Sequence, residues 1–242
     1  MIKTLIPVIV TALFLSICFA QNNGLDAAKI QLIQGSADVY RSASGKGIVA
    51  RIGMCIRVGD TLRSREESFV EVLFINGEII RLDENSTLVI ERADSQKAES
   101  SLPAGRVWVN MKKIVSHRAF DVSTPTAVAA IRGTIYDMRA GDDQSVDVHV
   151  YDGKVAVGPS ADLKKKLQGT PANKPAGGEP TQVPGPTEIQ GPHEVTLEQW
   201  QTIVAGMRIK IAPEGAFTTT KFEKIEKDTF VSQNISLDRN LR

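Results

Sequence analysis

Between Ala28 and Gly158 the chain alternates apolar and polar residues with a period of two, in short runs closed by Gly, Asn or Asp. That is the pattern of half-buried strands, and no helical period of useful length interrupts it. Val146, Val148 and Val150 alternate with Asp147, His149 and Tyr151, which predicts one face in the core and the other in water. Ile131–Met138 reads as the strand before it, joined through Ala140-Gly141-Asp142-Asp143. Lys154–Val157 reads as the strand after it, with Asp152-Gly153 as a tight hairpin whose glycine takes a positive φ. Phe69–Ile75 runs into Asn76-Gly77 and returns through Glu78–Leu82, so that Val70, Val72 and Phe74 meet Ile80 and Leu82 across a ladder.

Further strands are predicted at Ala28–Gly35, Ala37–Arg41, Thr87–Glu91 and Arg106–Asn110, with Met54–Leu62 as the segment that leads into the main strands. Gly45-Lys46-Gly47 and Asp83–Ser86 read as turns, and polar Ala93–Ser101 as a surface loop. Trp108 points opposite to Val107 and Val109, toward an edge or a partner, the edge being the commoner place. The expected fold is all-β, short strands in a sandwich-like or solenoid-like domain, and the pattern allows both. Each inward apolar side chain contributes roughly 1.5–3 kcal/mol before conformational entropy opposes it.

The pattern breaks at both ends and once inside. Lys3, the apolar run Leu5–Phe19 and Cys18-Phe19-Ala20 before Gln21 describe a signal peptide over residues 1–20, cleaved after Ala20. The run is short for a membrane span and has no basic stop behind it, so a retained anchor ranks lower. A lipid anchor at Cys18 ranks lower too, because Ile17 stands where a small residue is wanted. The domain proper covers 26–158. Residues 159–192, rich in Pro, Gly and Lys, read as a disordered, flexible insertion. Residues 193–220 resume the alternation at Val195, Leu197, Met207, Ile209 and Ile211 and complete the domain, with Trp200 covering an open end. Residues 221–242 form a charged tail in which Phe230, Ile235, Leu237 and Leu241 would line one face of a loose helix.

Composition narrows the function. The 29 Lys and Arg balance 28 Asp and Glu, and losing Lys3 makes the balance even, which argues against a nucleic-acid partner. Only 5% of residues are aromatic, too few for a broad stacking platform. Signal cleavage leaves Cys55 as the one thiol; its apolar neighbours predict burial, and no internal disulfide can form. His117, His149 and His193 lie far apart without Cys-x-x-Cys, and Asp142, Asp143 and Asp147 lack a calcium-loop framework, so no metal is expected. No Gly-x-Ser-x-Gly elbow or phosphate-cradling loop occurs, and Glu66, Glu67, Asp83 and Glu84 lie in turns where solvated acids are usual. No catalytic residue and no cofactor is therefore assigned. Lys112, Lys113, His117 and Arg118 form a basic stretch, a solvated face that would also suit an anionic polymer.

The stretch Thr124-Pro125-Thr126-Ala127-Val128-Ala129-Ala130-Ile131-Arg132-Gly133-Thr134-Ile135-Tyr136-Asp137-Met138, followed by the Val146–Val157 run VDVHVYDGKVAV, resembles the signature of FecR-type domains. The resemblance extends upstream to Val58-Gly59-Asp60-Thr61-Leu62 and downstream to the closing segment near Ile211. Ala130 stands where many members carry Gly and Ile135 where many carry Glu, so no role resting on that carboxylate is carried over. The resemblance implies a short-stranded, solenoid-like β-fold and a periplasmic or secreted binding module, similar to the sensor half of regulators that relay ferric-siderophore uptake to a sigma factor. It implies an envelope protein or cell-wall glycan as partner, while the short apolar run Leu5–Phe19 itself leaves no stable membrane span expected after signal cleavage. Thr124, Pro125, Arg132, Gly133 and Thr134 form its corner, a binding or structural element with the structural role favoured. Two other classes compete: a structural component of an envelope or surface assembly stacking by its β edges, and a carbohydrate-active enzyme that would need a carboxylate such as Asp147.

Overall fold

Period-two alternation becomes strands throughout the computed structural model, which describes residues 26–42, 45–111, 119–131, 133–169, 195–196, 200–222 and 228–241. In chain order these are β1 (Asp26–Gln34), β2 (Ala37–Tyr40), β3 (Gly47–Val49), β4 (Cys55–Arg57), β5 (Thr61–Ser64), β6 (Phe69–Phe74) and β7 (Ile79–Leu82). They continue with β8 (Thr87–Ala93), β9 (Lys97–Asn110), β10 (Ala119–Ser123), β11 (Ala127–Ile131), β12 (Ile135–Ala140), β13 (Val146–Asp152) and β14 (Lys154–Pro159). A helix α1 (Ala161–Gly169), strands β15 (Val195–Thr196), β16 (Gln201–Val204), β17 (Met207–Ile211) and β18 (Ala216–Lys221), and a helix α2 (Thr229–Asn240) follow.

The strands divide between two facing sheets. Sheet A runs β4-β1-β6-β7-β9-β12-β13-β17-β18-β15 and is antiparallel throughout. Sheet B runs β3-β2-β5-β8-β9-β10-β11-β14-β16, antiparallel except for β9 against β10. Inward residues of both meet in one core: Val70, Val72, Ile80 and Val109 from sheet A pack with Leu62, Leu88, Ile90 and Val122 from sheet B. Phe74 and Phe120 close it edge to face at 5.3 Å. The sandwich alternative thus holds, with strands that repeatedly fold over from one sheet to the other.

That folding over corrects three expectations. Ala93–Ser101 is mostly strand, because β9 buries Ala98, Ser100 and Leu102 on alternate positions. Small Ala and Ser carry little apolar signal, which is why the stretch looked like a loop. β9 then crosses from sheet B to sheet A at Gly105, where φ is +99° and an added Cβ would meet Ser86 Cα at 2.4 Å. Ser86 Oγ clamps this bend, accepting from Arg106 N at 2.9 Å and donating to its carbonyl at 3.1 Å. Ile131–Met138 is likewise split, with Ile131 ending β11 in sheet B and Ile135 opening β12 in sheet A, and Gly133 and Thr134 at the corner between them. Asp152-Gly153 is a corner too: β13 stays in sheet A and β14 enters sheet B, pairing with β11 and β16 and not with β13. The Asn76-Gly77 hairpin forms as expected, with Val72 opposite Ile80.

One helix departs from the sequence expectation. The first residues of the supposed insertion form α1, whose start is capped by Ser160 Oγ, 3.0 Å from Leu163 N, and whose Leu163 is buried. Residues 170–192 of that insertion, the 1–20 leader and the basic 112–118 stretch lie outside the described residues. Trp200 stays half exposed with its ring over Gly158, and Cys55 is half-buried rather than buried. No helix among the described residues is long and apolar enough to cross a membrane.

Candidate binding face beneath the C-terminal helix

Because one side of each sheet A strand fills the core, the alternate residues form a second row on the outer face. Register pairs Glu71 with Arg81, Arg81 with Trp108, Trp108 with Asp137, Asp137 with His149 and His149 with Arg208, a continuous row across β6, β7, β9, β12, β13 and β17. This face was expected to be wet. Instead Arg81, Trp108, Asp137 and His149 are all buried.

Asp137 is the hub of the row. Its Oδ2 accepts from Arg106 Nη2 and Tyr151 OH, both at 2.7 Å, and its Oδ1 lies 3.1 Å from His149 Nδ1. Burial alone would raise its pKa, but the His149 hydrogen bond and the Arg106 charge outweigh burial and hold the carboxyl below its ordinary value. Tyr151 answers in the opposite direction: burial, then the Asp137 charge, pushes the phenol far up. Beside this hub Arg81, with no exposed surface, donates through Nε to Glu71 at 2.6 Å. At the far end Arg208 grips Asp147 with two nitrogens, and Phe222 stands edge-on to His149 at 5.1 Å and to Tyr151 at 5.4 Å.

The cover is α2, so the charged tail is a docked element. Asp228 caps it, accepting from Val231 N at 3.1 Å, and also accepts from Arg106 Nη1 at 2.6 Å. Two residues on, Phe230 meets Phe69 edge to face at 5.9 Å under the Arg106 guanidinium, 5.0 Å from its ring. Buried Asn234 accepts from Arg81 Nη1 at 3.2 Å, and Asp238 accepts from Arg81 Nη1 at 2.6 Å and from Trp108 Nε1 at 3.0 Å. Ile235 and Leu237 pack against the Phe69, Trp108 and Ile135 cluster, as the apolar spacing of the tail implied. Trp108 is therefore neither at an edge nor open to solvent, and its ring lies 4.6 Å from that of Tyr151. A cleft of about 220 Å³ remains between helix and sheet, lined by Trp108, Ile135, Tyr151, Ile235, Asp238 and Arg239.

The corner singled out from the sequence lies elsewhere. Thr124 Oγ1 bonds the backbone of Ala127, accepting from its N–H at 3.0 Å and donating to its carbonyl at 2.9 Å. Pro125 offers its carbonyl to Ser160 Oγ at 2.5 Å, and Thr134 Oγ1 donates to the Lys154 carbonyl at 2.8 Å. Gly133 is exposed with φ +62°, while Arg132 lies outside the described residues. The hydroxyls of Thr124 and Thr134 are thus used on backbone, and the corner joins the sheets and seats α1. Arg81, Arg106, Asp137, Asp228 and Asp238 were not singled out from sequence. For Arg81 and Asp137 the signal was a charge in the middle of an apolar strand, Ile79-Ile80-Arg81-Leu82 and Ile135-Tyr136-Asp137-Met138.

Residues 60–156 match the family model described as FecR protein. The chain carries a FecR domain. Within that span lie Glu71, Arg81, Arg106, Trp108, Asp137, His149 and Tyr151, whereas Arg208, Phe222 and α2 lie beyond it. Two crystal structures of a candidate anti-sigma factor from Parabacteroides distasonis ATCC 8503 are similar to this FecR-domain chain at 12% and 13% identity, each with a TM-score of 0.46. Each alignment covers 67% of this chain and 60% of the other, so this chain spans less than two thirds of those structures. None of the curated proteins matches it.

Proposed function

We propose that this chain is a non-enzymatic, extracytoplasmic FecR-type binding module of the bacterial envelope, which recognises an envelope protein in signalling through the outer face of sheet A. The observation that carries this reading is the overlap of the matched span with the row from Glu71 to Tyr151. Support against catalysis comes from the carboxylates of that row: Glu71, Asp137 and Asp147 are each held by an arginine, as befits cohesion rather than proton transfer. The balanced charge favours a protein or a neutral glycan over nucleic acid. The test is a photo-crosslinkable residue at Arg239, on the open side of α2, compared with one at Val49 on sheet B, each used in intact envelopes. Capture of one envelope protein from position 239 and not from 49 is expected; capture from neither would contradict the reading.

A second reading, a structural component stacking by its edges, draws on β3. That strand ends sheet B with Ile48 and Val49 at 36% and 63% exposure, an apolar edge open to pairing. Concentration-dependent growth in size, abolished by Val49→Lys, would favour it.

A further inference from the structure

The helix and the face it covers share their charges in a particular way. Arg81 is divided between Glu71 on the sheet and Asp238 on the helix, both at 2.6 Å. Arg106 is divided between Asp137 on the sheet at 2.7 Å and Asp228 on the helix at 2.6 Å. Lifting α2 away would leave each arginine still paired with a carboxylate of its own sheet, so the floor keeps its neutrality without the helix. What it loses is one carboxylate per arginine, the Asn234 amide that also accepts from Arg81, the acceptor of the Trp108 indole N–H and the apolar cover of Phe69 and Ile135. The floor is thus a preformed receptor for two carboxylates set roughly 15 Å apart along one helix.

The attachment of α2 is itself of an exchangeable kind. Of its 12 residues, those buried are Phe230, Val231 and Asn234, one of the three polar. A helix of this length is marginal alone in water, so it is ordered by docking. Its docking combines the apolar contacts of Phe230, Val231, Ile235 and Leu237 with two ion pairs, and the ion pairs leave it open to competition by other carboxylates. The helix also lies beyond the FecR-matched span while its floor lies within it.

We propose that α2 is a cis-held stand-in for an acidic amphipathic helix of the partner protein, which displaces α2 and seats its own carboxylates on Arg81 and Arg106. The helix that fits carries an acid at its first and eleventh positions and an aromatic at its third, as Asp228, Asp238 and Phe230 do here. This rests on the reading of sheet A's outer face as the binding face and adds the partner's chemistry and the regulation: α2 holds the site closed.

The experiment uses the full chain and a fluorescent peptide of residues 226–242. Anisotropy titrations compare the natural chain with one carrying Asp228→Asn and Asp238→Asn, and with a Phe230→Ala chain that keeps both carboxylates. The peptide is expected to bind both variant chains at least about tenfold more tightly than the natural chain, and to lose that binding when it carries the two Asn substitutions itself. In envelopes the variant chains are expected to capture more crosslinked partner. Equal affinity for all three chains, or no binding to variants whose α2 amides exchange freely, would overturn the proposal. So would variants that lose their β-sheet circular dichroism, since α2 would then be part of the fold and not its lid. Because the probe is α2's own sequence, peptide binding without envelope capture sinks only the functional reading, and capture without peptide binding sinks only the exchange.

Discussion

Asp137 has no exposed surface, yet its surroundings favour the carboxylate, because Arg106, His149 and Tyr151 converge on its two oxygens. Asp137→Asn leaves Arg106 facing an amide and is expected to lower stability by about 3 kcal/mol, measured by urea denaturation at neutral pH. The sign with pH follows from the depressed pKa. The contribution is complete above the ordinary carboxyl value of 3.8 and is lost as pH falls through the lower folded value. Natural chain should therefore lose stability steeply below about pH 4, and the Asn variant should show a shallower slope. Tyr151 works from the other side: its phenol is raised above 10.0, so its contribution is present below that pH and is lost as pH rises beyond it. Tyr151→Phe should be weaker by about 1.5–3 kcal/mol at pH 7, the range for a bond to a charged acceptor, and should lack that alkaline slope. At this scale the sequence showed which residues point outward but not what they meet. The Trp108 indole finds its acceptor 130 positions away, in Asp238, and no local pattern spans that distance.

Elements explain which predictions held. Strands with large inward residues, such as Val70, Val72, Val146 and Val148, were legible because alternation marks both their existence and their core face. β9 hid half its length behind Ala98 and Ser100. The corners were legible as turns but not as changes of sheet, since a glycine with positive φ serves a hairpin and a corner alike. The two kinds of glycine should respond differently to alanine. Gly105→Ala drives a methyl into Ser86 backbone and breaks the clamp on Arg106, and a loss of roughly 3 kcal/mol is expected. Gly133→Ala has φ +62° but nothing within 4 Å of its added Cβ, so only backbone strain of about 1 kcal/mol should appear. Thermal melts of the pair separate steric clash from conformational strain. In α2, Asp228→Ala removes a cap worth about 1 kcal/mol together with the Arg106 contact, and should speed exchange of the helix's amides while leaving β9 and β12 protected.

For the molecule as a whole, two sheets share one core while a charged row stands on the outside of sheet A under a helix that comes last in the chain. The FecR domain was legible because the corner and the Val146–Val157 run are local in sequence, and the match to residues 60–156 agrees with them. The proposed binding face was not, because it is assembled from six strands by register and then covered by the tail. A face that a partner can use must also be one that the cover can leave. Native-state amide hydrogen exchange on the full chain tests this most directly. The account predicts that α2 amides exchange at least about thirtyfold faster than those of β9 and β12, an opening some 2 kcal/mol below global unfolding. Exchange of α2 at the rate of the sheet core would contradict it and make the helix a fixed part of the sandwich.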